Sequence, residues 1–186
     1  MGVYLYPSGT ETELKNAYIG EYIEEVFTFA WISGSTTNYK PIAKSWHKVE
    51  KVIIQSNCIQ NTSAAWAYFF ITSDTTRNYE WQLSFNIGSS NTSTFSGVRY
   101  RTGGSNIDEY GINSYLNYTT NNTFTMTFGR TWWELTVNWN SLSWTYSTSM
   151  ASVINTIMNS ANIQYRQATS SATMWTQTVT VVYTKN

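Results

Sequence analysis

The chain is expected to fold as an all-β domain, an antiparallel β-sandwich or jelly roll with one short helix near residues 149–161, and three observations predict it. Charged residues make up only 12% of the 186-residue chain while aromatics reach 17%, a mixture that suits pleated, half-buried surfaces better than solvated helices. Several segments alternate apolar and polar residues with a period of two. Clusters such as Gly88-Ser89-Ser90-Asn91 and Thr102-Gly103-Gly104-Ser105-Asn106 separate those segments, giving the rhythm of a sandwich rather than of alternating strand and helix.

Residues 1–25 read as an acidic N-terminal arm or first element, and 26–186 as a single β-sandwich domain. The arm carries Glu11, Glu13, Glu21, Glu24 and Glu25 against the single Lys15, while Lys40, Lys44, Lys48 and Lys51 follow with only Glu50 opposing. These nine residues, the five glutamates and the four later lysines, are candidate interface residues. Charges separated along a chain can pair within one subunit or head to tail between subunits, or stand as two solvated faces.

The first strand is expected at Val26–Ile32, followed by Val49–Ile54 and Ala64–Thr72. The first and third carry large apolar groups on both faces, as central strands do. In Tyr79–Ile87, Tyr79, Trp81, Leu83, Phe85 and Ile87 share one face and Glu80, Gln82, Ser84 and Asn86 the other. Gly97–Arg101 follows, then Thr123–Phe128 with Phe124, Met126 and Phe128 inward. In Arg130–Trp139 the parity groups Trp133, Leu135, Val137 and Trp139 on one face and Trp132, Glu134, Thr136 and Asn138 on the other. Leu142, Trp144 and Tyr146 alternate with Ser141, Ser143 and Thr145, and Met174–Tyr183 completes about nine strands, enough for two sheets. Met150, Val153, Ile154, Ile157, Met158 and Ala161 instead fall at helical spacing, with Thr148 or Ser149 as N-cap.

Catalytic chemistry needs groups whose pKa or nucleophilicity can be tuned, and few are present. The one histidine, His47, stands in Lys44-Ser45-Trp46-His47-Lys48 without a Gly-x-Ser-x-Gly elbow anywhere, and reads as a partly buried ring beside Trp46. The single cysteine, Cys58, excludes an intramolecular disulfide and a cysteine-based zinc site. Asp108-Glu109 could offer oxygen to calcium but falls short of a coordination shell. No catalytic residue, metal or cofactor is therefore expected. Eleven basic and eleven acidic residues cancel, so no long-range field gathers nucleic acid, and no apolar run is long enough for membrane insertion. A net charge near zero also removes self-repulsion, which suits a homo-oligomer.

Two binding readings and one enzymatic reading follow. In general character the chain resembles a bacteriophage virion protein: it is rich in Thr, Asn, Ser and aromatics, has few charges, reads as antiparallel β and starts without a signal peptide. That resemblance implies a non-enzymatic virion structural or host-attachment subunit, a capsid, head-fibre or tail component. It would be made in the host cytoplasm and would work through contacts with itself and other virion proteins. The alternative is a glycan-binding β-sandwich module, possible at a cell surface, with Trp132, Glu134 and Asn138 as ligand-binding residues, since an aromatic face stacks on a pyranose while carboxylate and amide take its hydroxyls. A jelly-roll glycoside hydrolase is the third reading. It needs two carboxyl groups across a cleft, and Glu80 and Glu134 are the only ones within confidently patterned strands.

Overall fold

The computed structural model describes residues 18–19, 22–59, 66–73, 82–88, 97–102, 105–111 and 122–185. In chain order they form β1 (Tyr18–Ile19), β2 (Tyr22–Phe29), β3 (Ile32–Pro41), β4 (His47–Ile59), β5 (Trp66–Thr72), β6 (Gln82–Gly88), β7 (Gly97–Thr102) and β8 (Ser105–Gly111). There follow β9 (Asn122–Gly129), β10 (Trp132–Val137), β11 (Asn140–Thr145), α1 (Thr148–Met158), β12 (Gln164–Met174) and β13 (Gln177–Lys185). Every pairing is antiparallel. The strands run in two layers, β1-β2-β13-β4-β9-β10-β11 and β3-β12-β5-β6-β7-β8. A short ladder from Cys58 and Ile59 to Met174 and Thr173 joins the layers at one end.

Alternation decides which face of each strand is sealed. Val52 and Ile54 on β4, Phe124, Met126 and Phe128 on β9, and Trp133, Leu135 and Val137 on β10 are all buried. The intervening residues of β9 and β10 are mainly threonine and glutamate, which can stay in water. From the second layer Ile71 and Tyr165 enter the same core. The Tyr165 ring meets Phe29 edge-on with centroids 4.9 Å apart, and Phe27 at 6.2 Å, within the range of favourable aromatic pairs. The Tyr165 hydroxyl donates to Gln177 Oε1, which satisfies a polar atom that would be costly to bury alone.

The helix closes one end of the sandwich. Ser147, not Thr148 or Ser149, is its N-cap, and its Oγ accepts from Met150 N at 3.3 Å. Ile154, Ile157 and Met158 are fully buried, as the helical spacing requires. Arg130 fastens the helix to the first layer: its Nε lies 3.0 Å from Glu50 Oε2 and its Nη1 donates to Asn155 and Asn159.

Several strand expectations need correction. Val26–Ile32 is not one strand: the chain turns at Ala30-Trp31, so its parts belong to β2 and β3 in different layers. Met174–Tyr183 likewise breaks at Trp175-Thr176 between β12 and β13. Strand β10 stops at Val137, because Asn138 adopts a left-handed φ of 56°, a conformation that asparagine tolerates in turns. Strands β3, β8 and β12 carry no apolar alternation, and the sequence pattern missed them. Strand β2 spans the expected boundary between residues 25 and 26, so Glu24 and Glu25 sit in the sheet.

Candidate functional site

The face of the six-stranded layer that turns away from the core carries the most unusual chemistry. Tyr165 and Ile71 fix the inward parity, so Gln164, Arg166 and Ala168 lie on the outward side of β12. A solvent-facing strand would expose such residues. Instead Arg166 is only 7% exposed, and Gln164, Ala168 and the facing Thr72 are buried too. Arg166 Nε donates to Gln164 Oε1 at 3.1 Å, and its guanidinium carbon lies 5.6 Å from the centroid of the Tyr39 ring, a cation–π arrangement. Tyr39 forms the rim, 62% exposed.

The ladder register extends this position across the layer. Tyr39 aligns with Arg166, Arg166 with Phe70, Phe70 with Ser84, Ser84 with Arg99, and Arg99 with Glu109. One row thus crosses six strands, roughly 24 Å at the usual strand spacing. A neighbouring row aligns Ala168, Tyr68, Asn86, Gly97 and Gly111. The backbone register of these rows therefore aligns aromatic, hydroxyl, amide, guanidinium and carboxylate residue types across the layer. In the β7–β8 ladder Asp108 pairs with Tyr100 and Glu109 with Arg99. Among the described residues no group of three or more His, Cys, Asp or Glu could hold a metal ion, and no helix is long and apolar enough to cross a membrane.

The expected ligand residues lie on the other layer and only partly converge. Trp132 and Glu134 share the outward face of β10. Trp132, 37% exposed, covers Gly129 so closely that a Cβ there would lie 2.9 Å from its Cε2. Asn138 is in the turn instead, where its Nδ2 donates to Asn122 Oδ1 and its Oδ1 accepts from Thr123 N.

Among the expected interface residues, Glu11, Glu13 and Glu21 lie outside the described residues. Glu25 and Lys44 pair within the chain at 2.7 Å, and Lys40 and Lys44 sit over the rings of Phe27 and Tyr183. Glu24 and Lys51 both align with Val182 on β13, on the outward side of the seven-stranded layer, and Lys48 is exposed. Glu80, one of the two carboxylates considered for hydrolysis, is also outside the described residues. His47 is partly buried as expected: its Nδ1 lies 2.8 Å from Ser45 O and its ring packs edge-on to Tyr183.

The buried outward face of β12 was hidden because its sequence, Gln164-Tyr165-Arg166-Gln167-Ala168-Thr169, alternates nothing apolar. One part of the surface was legible: the polar side of the Tyr79–Ile87 pattern named Gln82, Ser84 and Asn86, which register places on this face.

No family model matches the chain, and no curated protein matches it. Solved structures do. The galectin LEC-6 of Caenorhabditis elegans superposes with a TM-score of 0.51 at 12% identity, over 82% of this chain and 94% of that one. The apo Crh5 transglycosylase gives 0.51 at 12% identity, over 95% and 80% of the two chains. Crh5 in complex with NAG gives 0.50 at 8% identity, over 84% and 83%. At such identities the likeness is one of fold: an antiparallel β-sandwich, jelly-roll-like, with one short helix, as the sequence predicts. The leading functional expectation is corrected by the same neighbours. They are a galectin and a transglycosylase rather than capsid, head-fibre or tail components, which contradicts the virion reading.

Proposed function

We propose that the protein is a non-enzymatic glycan-binding β-sandwich module whose ligand docks on the exposed Tyr39 ring, beside Arg166, at the outward face of the six-stranded layer. The exposed ring of Tyr39 on a face directed away from the core, with the buried Arg166 guanidinium packed against it, carries the proposal. An arginine is rarely held out of water unless its donors serve packing or recognition. Here it positions the aromatic rim. That combination fits a pyranose, whose C–H face stacks on an aromatic ring while its hydroxyls take charged and amide partners. The galectin-like fold supports the ligand class by analogy. A non-enzymatic role fits the carboxylates whose side chains are described: Glu25 is committed to Lys44 and Glu50 to Arg130, while Glu24 and Glu134 stand on the outward face of the other layer.

A glycan array followed by calorimetry tests this. Arg166→Met preserves bulk and removes the donors, and is expected to weaken binding at least tenfold, about 1.4 kcal/mol. Tyr39→Ala should weaken it several-fold and Trp132→Ala should leave it unchanged. Loss on Trp132→Ala with retention on Arg166→Met would move the site to the other layer. A protein that binds no glycan on the array would overturn the function.

A further inference from the structure

The end of the sandwich remote from the helix carries a second set of aromatic groups that the sheet face does not use. Trp139 is 91% exposed, Trp31 59% and Trp175 43%. Each stands in a turn: Trp31 between β2 and β3, Trp139 between β10 and β11, and Trp175 between β12 and β13.

Backbone contacts place these turns side by side. Met174 pairs with Ile32, which brings the preceding Trp31 and the following Trp175 to adjacent positions. Trp175 N donates to Asn57 O, Asn57 pairs with Thr123, and Asn138 N donates to Thr123 O. The tryptophans therefore mark a line across five neighbouring strands, β3, β12, β4, β9 and β10, with roughly 14 Å of backbone separation between Trp175 and the Asn138-Trp139 turn at ordinary strand spacing.

We infer that this end is a second glycan-binding site, selective for neutral, extended oligosaccharides. The inference rests on the glycan-binding reading for its ligand class but uses none of the sheet-face residues. Two observations select the ligand. No charged residue occurs in the segments that build the end, 29–33, 56–59, 122–124, 137–141 and 173–177, which removes the attraction that an acidic glycan, a phosphate or an anionic lipid surface would require. Asn57, Thr123 and Asn138 also stand between the adjacent Trp31 and Trp175 and the more distant Trp139. A ligand with alternating C–H faces and hydroxyls matches that spacing, whereas an apolar protein partner or an acyl chain calls for continuous apolar surface. Trp139 supports this further. It occupies a hairpin turn position where glycine or another small residue commonly serves, and its ring buries almost nothing in the fold.

The experiment uses the full chain labelled with 15N at its tryptophan indoles and titrated with laminarihexaose, cellohexaose, chitohexaose and a sialylated lactosamine, in wild type and in Arg166→Met. Indole signals are assigned by single Trp→Phe replacements, which keep an aromatic ring and the fold. The expected result is that the Trp31, Trp139 and Trp175 signals shift with at least one neutral hexasaccharide, in both backgrounds. Trp31→Ala and Trp175→Ala should each weaken that response about tenfold. Shifts confined to the sialylated probe, or no shift of these three signals with any probe, would overturn the second site. If sheet-face binding persisted, the proposed function would survive that failure. In a parallel titration with phosphatidylcholine vesicles, shifts of these signals with the vesicles alone would replace the glycan with a membrane interface and overturn the inference too.

Discussion

The two ends of the sandwich are built from opposite materials. At the helix end charge and polar clamps hold elements together: Lys44 pairs with Glu25, Arg130 joins Glu50 to α1, and Tyr183 donates to Ile42 O at 2.9 Å. At the other end the turns carry no charge and present Trp31, Trp139 and Trp175 to solvent. Large apolar groups add stability only when they leave water, so apart from the exposed Trp46 the first end is organised for cohesion, while the second leaves three indoles exposed for contact. Exposure separates a binding surface from a structural one, and tryptophan content alone does not: Trp133 on β10 is fully committed to the core.

The sharpest way to break this contrast is to truncate one residue at each end. Ile157, fully buried on α1, should cost about 2–5 kcal/mol when replaced by alanine, since its removal leaves a cavity in the layer beneath the helix. Trp139→Ala removes a larger side chain yet should shift stability by no more than about 0.5 kcal/mol. Urea denaturation of both variants decides it. A comparable cost for Trp139→Ala would mean that the indole is part of the fold and not a free contact group.

Why the sequence showed one end and not the other follows from particular residues. The helical spacing of Ile154, Ile157 and Met158 is a local signal, and so is the separation of the glutamates from the lysines, so both were readable. All three end tryptophans instead fell inside apparent strands. Trp31 extended Val26–Ile32, Trp139 continued the parity of Trp133 to Val137, and Trp175 opened Met174–Tyr183. In each case the chain turns where the apolar pattern runs on, because pairing between distant strands, and not local periodicity, ends the element. Strand β12 shows the converse. It occupies the middle of its layer, between β3 and β5, with Gln167 and Thr169 buried inward and Gln164 and Arg166 buried outward. No pattern rule reads such a polar stretch as central.

A smaller effect concerns alkaline pH. Burial raises the hydroxyl pKa of Tyr146 and Tyr165, and for Tyr183 burial is reinforced by the charge of Glu25. In the unfolded chain these groups ionise near the ordinary tyrosine value of 10.0. The folded protein keeps protons that the unfolded chain then releases, so stability is intact below about pH 10 and falls as pH rises above it. Each fully buried tyrosine should contribute a slope of up to about 1.4 kcal/mol per pH unit in that range. Denaturation midpoints at several values from pH 8 to 11.5 would reveal it. Tyr146→Phe should make the slope shallower, because the Tyr146 hydroxyl is buried without a partner among the described residues and the change removes a titrating group without breaking a hydrogen bond.

The smallest expected effect tests the charged end itself. Lys44 and Glu25 are partly screened by solvent, with side-chain exposures of 32% and 13%, so their attraction should be worth about 0.2–1 kcal/mol despite the short distance. A double-mutant cycle with Lys44→Ala and Glu25→Gln isolates that coupling from the contact of Lys44 with the Tyr183 ring. Raising the salt concentration should shrink the coupling and leave the Ile157→Ala cost unchanged, because ions screen a half-exposed pair and do not reach a buried side chain. A coupling well above 1 kcal/mol, insensitive to salt, would mean that the pair is desolvated. The cohesion of this end would then rest on its charges more than on the apolar side of the helix.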